Sequence, residues 1–392
     1  MKQLTLFLCL TMILACMANA QQNISFREGK IISPQINADN SVTFRVRAPL
    51  AKSVTVRGDW DADGGRGEMK QGADSVWTYT TPALTSEMYT YRIVIDGVAG
   101  LDPTNPFVRR DVGSQFSIFF INGGAADYYQ VHDVPHGTLS AVWYPSETMG
   151  TPRRMSVYTP PQYEQDKEKR YPVLYLLHGS GGDENAWVEL GCIARIMDNL
   201  IAEKKAEPMI VVMPNGNSSK QAAPGETSEN LAYRPAPTNL LPGSYKDGRY
   251  ETAFPEIVRF TDSNYRTVPD KAHRALAGLS MGGFHTLYIA ANHPDSFNYI
   301  GLFSAGLDMS SVNQSLPTYQ NLDGKLKALQ KDGCKLFWMG IGCGDFLYQA
   351  NQDFRKRLDG IGFKYEYHES GGEHQWANWR QYMLLFVPRL FK

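Results

Sequence analysis

The stretch HRALAGLSMGGFHTLYIAANHP, residues 273 to 294, holds Ser280 between Gly278 and Gly282 in the pattern G-x-S-x-G. A serine hydroxyl does covalent chemistry only where something activates it, so the setting of the pattern counts for more than its five letters. RALAGL reads as a short buried strand, and MGGFHTLYIAANH carries Phe284, Leu287, Tyr288 and Ala291 at helical spacing. Ser280 is therefore expected on a sharp strand-to-helix turn, where the flanking glycines leave room and the serine oxygen stands above the sheet. The N–H of Met281, at the start of that helix, is suited to a developing oxyanion.

Such a serine needs a histidine base and an acid to orient it, both brought near by folding. In the chain order of α/β-hydrolases the acid follows the serine and the histidine comes last. Four histidines follow Ser280, namely His285, His293, His368 and His374. His285 lies on the elbow helix itself, His293 precedes Pro294 at its end, and His368 falls within the strand-like FKYEYHE. His374 sits in a Gly-rich loop after that strand and is the expected base. The acid is expected where a strand ends, since catalytic groups in such sheets gather at the carboxyl ends of strands. CKLFWMGIGCGDF puts Asp345 directly after an apolar strand, whereas Asp353 and Asp359 follow on a helical stretch and Asp323 and Asp332 precede the strand. The competing role for Asp345 is an N-cap for a helix beginning near Phe346. A second oxyanion donor is expected from the loop after an early strand, and YPVLYLLHGSGGDENAW offers the N–H of Ser180. Neither GIGCG nor HGSGG has the spacing of a nucleotide or phosphate loop.

The elements that must position these groups alternate along the rear of the chain. MSVYTP, VLYLLH, MIVVMP, RALAGL, YIGLFS, KLFWMGIG and KYEYHE read as strands separated by helical stretches, which describes a doubly wound, mostly parallel sheet over residues 127–392. The Gly- and Pro-rich loop from Asn215 to about Arg249 is long enough to be expected at the substrate cleft. Residues 22–126 differ. SVTFRVRA, KSVTVRG, SVWTYTT, YTYRIVIDG and QFSIFFI alternate with period two between turn residues, as in a small antiparallel, Ig-like sandwich, with INGGAADYY as the junction.

LLHGSGG, AGLSMGG, GCGDFL and HQWANWR together resemble the esterase D and antigen 85 group, and most closely carbohydrate esterase family 1, the feruloyl and acetylxylan esterases. The resemblance implies Ser280, Asp345 and His374 as a triad, with the Ser180 and Met281 amides as oxyanion hole. One departure is Glu373, where relatives carry Gly before the histidine; its carboxylate either raises the pKa of the base or faces water. VTVRGDW, YTYRIVIDG and DPTNP resemble the Ig-like modules of carbohydrate-binding family 48. That likeness implies two alternatives for the front domain, a glycan-binding module or a wall of the esterase cleft. Trp60, Trp77, Trp187 and Trp376 are the candidate substrate-binding aromatics, with Trp379 either cleft wall or core.

Composition narrows the classes. A chain of 392 residues with 43% hydrophobic residues is neither disordered nor a single small core, and a net charge of −1 without a basic patch argues against nucleic acid as partner. MKQLTLFLCLTMILACMANAQQ reads as a signal peptide cleaved after Ala20, with lipidation at Cys16 the alternative, and no other stretch is long and apolar enough to span a bilayer. That implies a secreted or periplasmic protein. Beyond residue 20 the cysteines are Cys192, Cys334 and Cys343, enough for at most one disulfide, and no cluster has metal-ligand spacing. Serine chemistry requires no cofactor, and none is expected. The expected function is ester hydrolysis on acylated plant polysaccharide or oligosaccharide, feruloyl first and acetyl second, with a siderophore esterase of the enterochelin type third. A glycan-binding protein with an inert hydrolase fold is the non-enzyme alternative.

Overall fold

Long apolar runs such as Val173–Leu177 (VLYLL) and Ile210–Pro214 (IVVMP) bury every residue, as strands covered on both faces must. They lie inside an eight-stranded sheet. Its spatial order is Thr138–Tyr144, Arg153–Thr159, Ile210–Pro214, Val173–Leu177, Arg274–Leu279, Tyr299–Phe303, Leu336–Gly342 and Glu366–Ser370. Arg153–Thr159 runs against both of its neighbours, and every other pairing is parallel. Helices Arg249–Asn264, Met281–Asn292 and Leu322–Lys331 cover one face; Ile193–Ala202 and Trp376–Phe386 cover the other. The expected α/β-hydrolase sheet is thus present, with one strand more than expected. Thr138–Tyr144 is an edge strand exposed over most of its length, so it lacks the apolar run that marks the others.

The structure, a computed structural model, describes residues 31–60, 65–227, 245–310 and 312–392. The leader and Cys16 lie outside the described residues, as does about half of the Asn215–Arg249 loop, over 228–244.

The front domain is a β-sandwich. One sheet orders Gln35–Ile36, Val42–Arg47, Val76–Thr80 and Lys70–Gln71; the other orders Gly67–Glu68, Val54–Gly58, Glu87–Ile95, Ser114–Ile121 and Val108–Asp111, with Val98–Gly100 also paired to Glu87–Ile95. Alternate residues such as Val42, Phe44 and Val46 point inward against Val56, Tyr91, Ile93 and Phe119.

The two domains share a core. Met88, Ile118, Ala126 and Tyr129 from the front and the junction pack with Leu190, Cys192 and Ile193 of the rear in one buried cluster. At its centre Arg380, 1% exposed, meets the Glu87 carboxylate at 3.0 Å and donates to the carbonyls of Met88 (3.0 Å) and Leu190 (2.7 Å). A buried guanidinium is tolerable only with its donors filled in this way.

Candidate active site

Ser280 ends the central strand Arg274–Leu279 and precedes helix Met281–Asn292, with φ 53° and ψ −115°. Few non-glycine residues hold such a backbone, and those that do cluster at functional sites. The packing around it enforces the turn. A Cβ on Gly278 would lie 2.4 Å from the Gly282 backbone, and one on Gly282 would lie 2.5 Å from the Leu177 carbonyl oxygen. Both glycines are therefore demanded by close backbone approach. The Ser280 N–H donates to the Phe303 carbonyl (2.9 Å), and its own carbonyl accepts from Gly306 (2.9 Å) and Phe284 (3.1 Å). Met281 opens the helix, so its N–H has no intrahelical acceptor.

Asp345 follows strand Leu336–Gly342 and its side chain is fully buried. Its Oδ2 lies 2.9 Å from His374 Nδ1, and its Oδ1 accepts from the Leu347 N–H at 2.8 Å. One carboxylate thus contacts the histidine and secures the turn before helix Tyr348–Gly360; it is not the helix N-cap, because the helix begins two residues later than expected and Leu347 takes the cap position. The alternative acid Asp353 is exposed and pairs with Lys356. The His374 ring packs between Phe346 (centroids 4.6 Å) and Trp379 (4.9 Å). With Nδ1–H donated to Asp345, Nε2 is the nitrogen available to a serine hydroxyl. Two of the other candidate histidines are engaged elsewhere: His285 is buried against Glu251 at 2.8 Å, and His368 stacks on Trp338.

The loop carrying Ser180 is held by His178. Its Nδ1–H donates to the Gly179 carbonyl (2.7 Å), and its Nε2 accepts from the Gly216 N–H (2.8 Å). Complete burial pushes the imidazole down to about 4, which keeps it neutral in that arrangement.

Gly179, Ser180, Ser280, His374, Trp376 and Trp379 line one cavity of about 230 Å³. Two further lining residues, Asp111 and Val112, come from the front domain. Sequence reasoning missed both, and also Phe346, which is 76% exposed beside the histidine. Burial pushes the Asp111 carboxyl up, while the Arg110 charge and a hydrogen bond from the Trp376 indole oppose that shift. Of the candidate aromatics, Trp376 and Trp379 reach the cavity. Trp187 is 1% exposed, donates its indole N–H to the Leu177 carbonyl at 3.0 Å and supports Trp376 edge-on from beneath. Trp77 is 8% exposed with its N–H on the Ala48 carbonyl, and Trp60, half-buried, stacks on Phe44 at the edge of the sandwich core. All three pack against protein instead of standing free, which corrects the expectation of substrate platforms. Glu373 is exposed and lines a separate cavity of about 560 Å³ with Arg57, Arg92 and Gln375. Among the described residues no group of three or more His, Cys, Asp or Glu is placed to hold a metal, and Cys192, Cys334 and Cys343 are free thiols.

A buried, mostly parallel sheet, with a strained serine and an aspartate-held histidine lining one cavity, has the form of an α/β-hydrolase. The chain belongs to the family described as putative esterase, whose profile matches residues 146–390, and carbohydrate-binding module 48 (isoamylase N-terminal domain) matches residues 32–107. An endo-1,4-beta-xylanase/feruloyl esterase of Xylanibacter ruminicola is 32% identical over 375 residues, which is 92% of this chain and 46% of that protein. The chain therefore spans about half the length of this curated relative. Among solved structures, a ferulic acid esterase is 26% identical with a TM-score of 0.52 over 65% of this chain and 97% of its own. The enterobactin esterase of Shigella flexneri shares the fold over 89% of this chain and 92% of its own, at 18% identity and a TM-score of 0.62.

Proposed function

We propose that the protein hydrolyses acyl esters on plant cell-wall xylan, with feruloyl the first acyl group and acetyl the second. The observation that carries this reading is the 2.9 Å contact between His374 and Asp345, in a cavity that the strained Ser280 also lines. His374 Nε2 takes the hydroxyl proton as Ser280 Oγ bonds to the ester carbonyl carbon. Asp345 steadies the imidazolium, and the amides of Ser180 and Met281 hold the oxyanion. Collapse of the tetrahedral intermediate breaks the bond to the sugar oxygen, which leaves with the proton from His374. Water then attacks the acyl-serine by the same route, releasing the acid and restoring Ser280.

Trp376 and Trp379 give the cavity two aromatic walls suited to a planar hydroxycinnamoyl group, and the likeness to feruloyl esterases points the same way. The leader-like residues 1–20 support secretion or a periplasmic location. The test is release of ferulate and acetate from arabinoxylan by the purified protein and its Ser280→Ala and His374→Ala variants. Ferulate release by the parent, lost in both variants and not further reduced in the double variant, is the expected result, because such groups act as a unit. Undiminished release by folded Ser280→Ala overturns the mechanism, and release of acetate alone changes the acyl group.

A further inference from the structure

The candidate catalytic cavity takes part of its wall from the other domain. Strands Val108–Asp111 and Ser114–Ile121 pair with Asp111 opposite Ser114, so Val112 and Gly113 form a two-residue hairpin loop. Val112 holds φ 52° at the first loop position. Glycine, Asn and Asp dominate such positions, and a β-branched residue there is a true outlier. The tip is held from outside. Arg110 grips Asp183 with two hydrogen bonds of 2.7 and 2.9 Å, and Arg109 lies 3.6 Å from Glu189. Both acids belong to the segment that follows Ser180, so the clamp sets the hairpin tip against the wall that carries this proposed oxyanion donor.

A carboxylate beside a developing oxyanion opposes it by like charge, so Asp111 contributes nothing to stabilising that charge. Nor is it the ion-pair partner of its neighbour, because Arg110 is taken by Asp183. Asp111 lines the cavity beside Ser280 and His374, and its carboxylate offers about four acceptor positions. We infer that Asp111 is a specificity-determining residue of this esterase, accepting a hydrogen bond from a hydroxyl group of the ester substrate. The hydroxyl has two sources: a sugar hydroxyl on the alcohol side, or the phenol of a hydroxycinnamoyl acyl group. The inference rests on the esterase chemistry proposed for Ser280 and His374.

The experiment compares kcat/KM of the full chain with its Asp111→Ala and Asp111→Asn variants on methyl ferulate, methyl cinnamate and a feruloylated arabinoxylo-oligosaccharide. Acetylated xylo-oligosaccharide and 4-nitrophenyl acetate form the matching pair for an acetyl group. Loss of a hydrogen bond to a charged acceptor corresponds to a roughly ten- to hundredfold fall. Asp111→Ala is expected to show that fall on the ester that supplies the hydroxyl, with less than about threefold on its hydroxyl-free counterpart and a smaller loss for Asp111→Asn. A fall on methyl ferulate but not methyl cinnamate assigns the phenol; a fall confined to the oligosaccharides assigns the sugar. An equal fall on every ester, or none on any, overturns the inference, since support of Trp376 alone would not discriminate between substrates. Thermal melting of both variants separates misfolding from recognition. Failure of the underlying chemistry shows separately, as full activity of Ser280→Ala on the same esters.

Discussion

Two strained turns line the same cavity, and they are held in opposite ways. Ser280 and Val112 have nearly the same φ, 53° and 52°. The serine turn is fixed by backbone against backbone, with Gly278 and Gly282 admitting no added carbon and Phe303, Gly306 and Phe284 filling its hydrogen bonds. The valine turn is fixed by side chains, chiefly the Arg110–Asp183 pair. Backbone packing is set by the whole sheet, whereas one ion pair changes with a single substitution. The proposed nucleophile thus sits on the part of the wall that cannot drift, and the proposed recognition residue on the part that can.

Substitution of the acid is the most damaging change to the backbone-fixed wall. Asp345→Asn is expected to keep the fold but to cut kcat on the order of 10³- to 10⁴-fold, because an amide favours the wrong tautomer of His374. Steady-state kinetics beside a thermal melt checks this, and near-normal turnover would return the residue to its role in the turn. The next effect lies at the seam between the domains. Arg380→Met leaves Glu87 buried without its cation and should cost about 3–5 kcal/mol, read from denaturant midpoints. A cost near zero would mean that the seam does not hold the front wall.

His178 makes the wall that carries Ser180 sensitive to pH. Its folded pKa of about 4 lies below the ordinary 6.5 because burial penalises the charged form. Between those values the unfolded chain binds the proton and the folded chain does not. Its contribution is therefore fully present above about pH 6.5 and is lost as pH falls toward 4, by roughly 3 kcal/mol. His178→Asn removes that titration, so stability measured from pH 7 to 4 should fall less steeply than in the parent. An unchanged slope assigns acid sensitivity to other groups. The smallest effect is at the hairpin tip. Val112→Gly relieves the positive φ and should change stability by no more than about 1 kcal/mol, while loosening Asp111. A raised KM at preserved kcat is the expected kinetic signature.

Most of the rear domain was legible because buried parallel strands are continuous apolar runs and the candidate residues follow their ends. Ser280, Asp345 and His374 could be proposed from that pattern, and folding brings the last two within 2.9 Å. The strand Val108–Asp111 could not. VRRD has no alternation, and its meaning depends on Asp183, 73 residues away. The only local hint was an acid beside two arginines just before a glycine turn. Trp60, Trp77 and Trp187 failed for a different reason: aromatic content says that area will be covered, not whether sugar or protein covers it. The indole N–H of Trp187 finds its acceptor at the end of a strand, a partner that only the folded sheet supplies.

The shared core has a consequence for exchange of parts. Met88, Ile118 and Glu87 complete a surface that the rear domain would otherwise present as an apolar face around a buried cation. A front module transplanted from another protein would need to reproduce that seam before it could fold in place. It would also bring its own residue to the position of Asp111. Swapping the module would therefore rewrite which esters enter the pocket while leaving the machinery that cleaves them untouched.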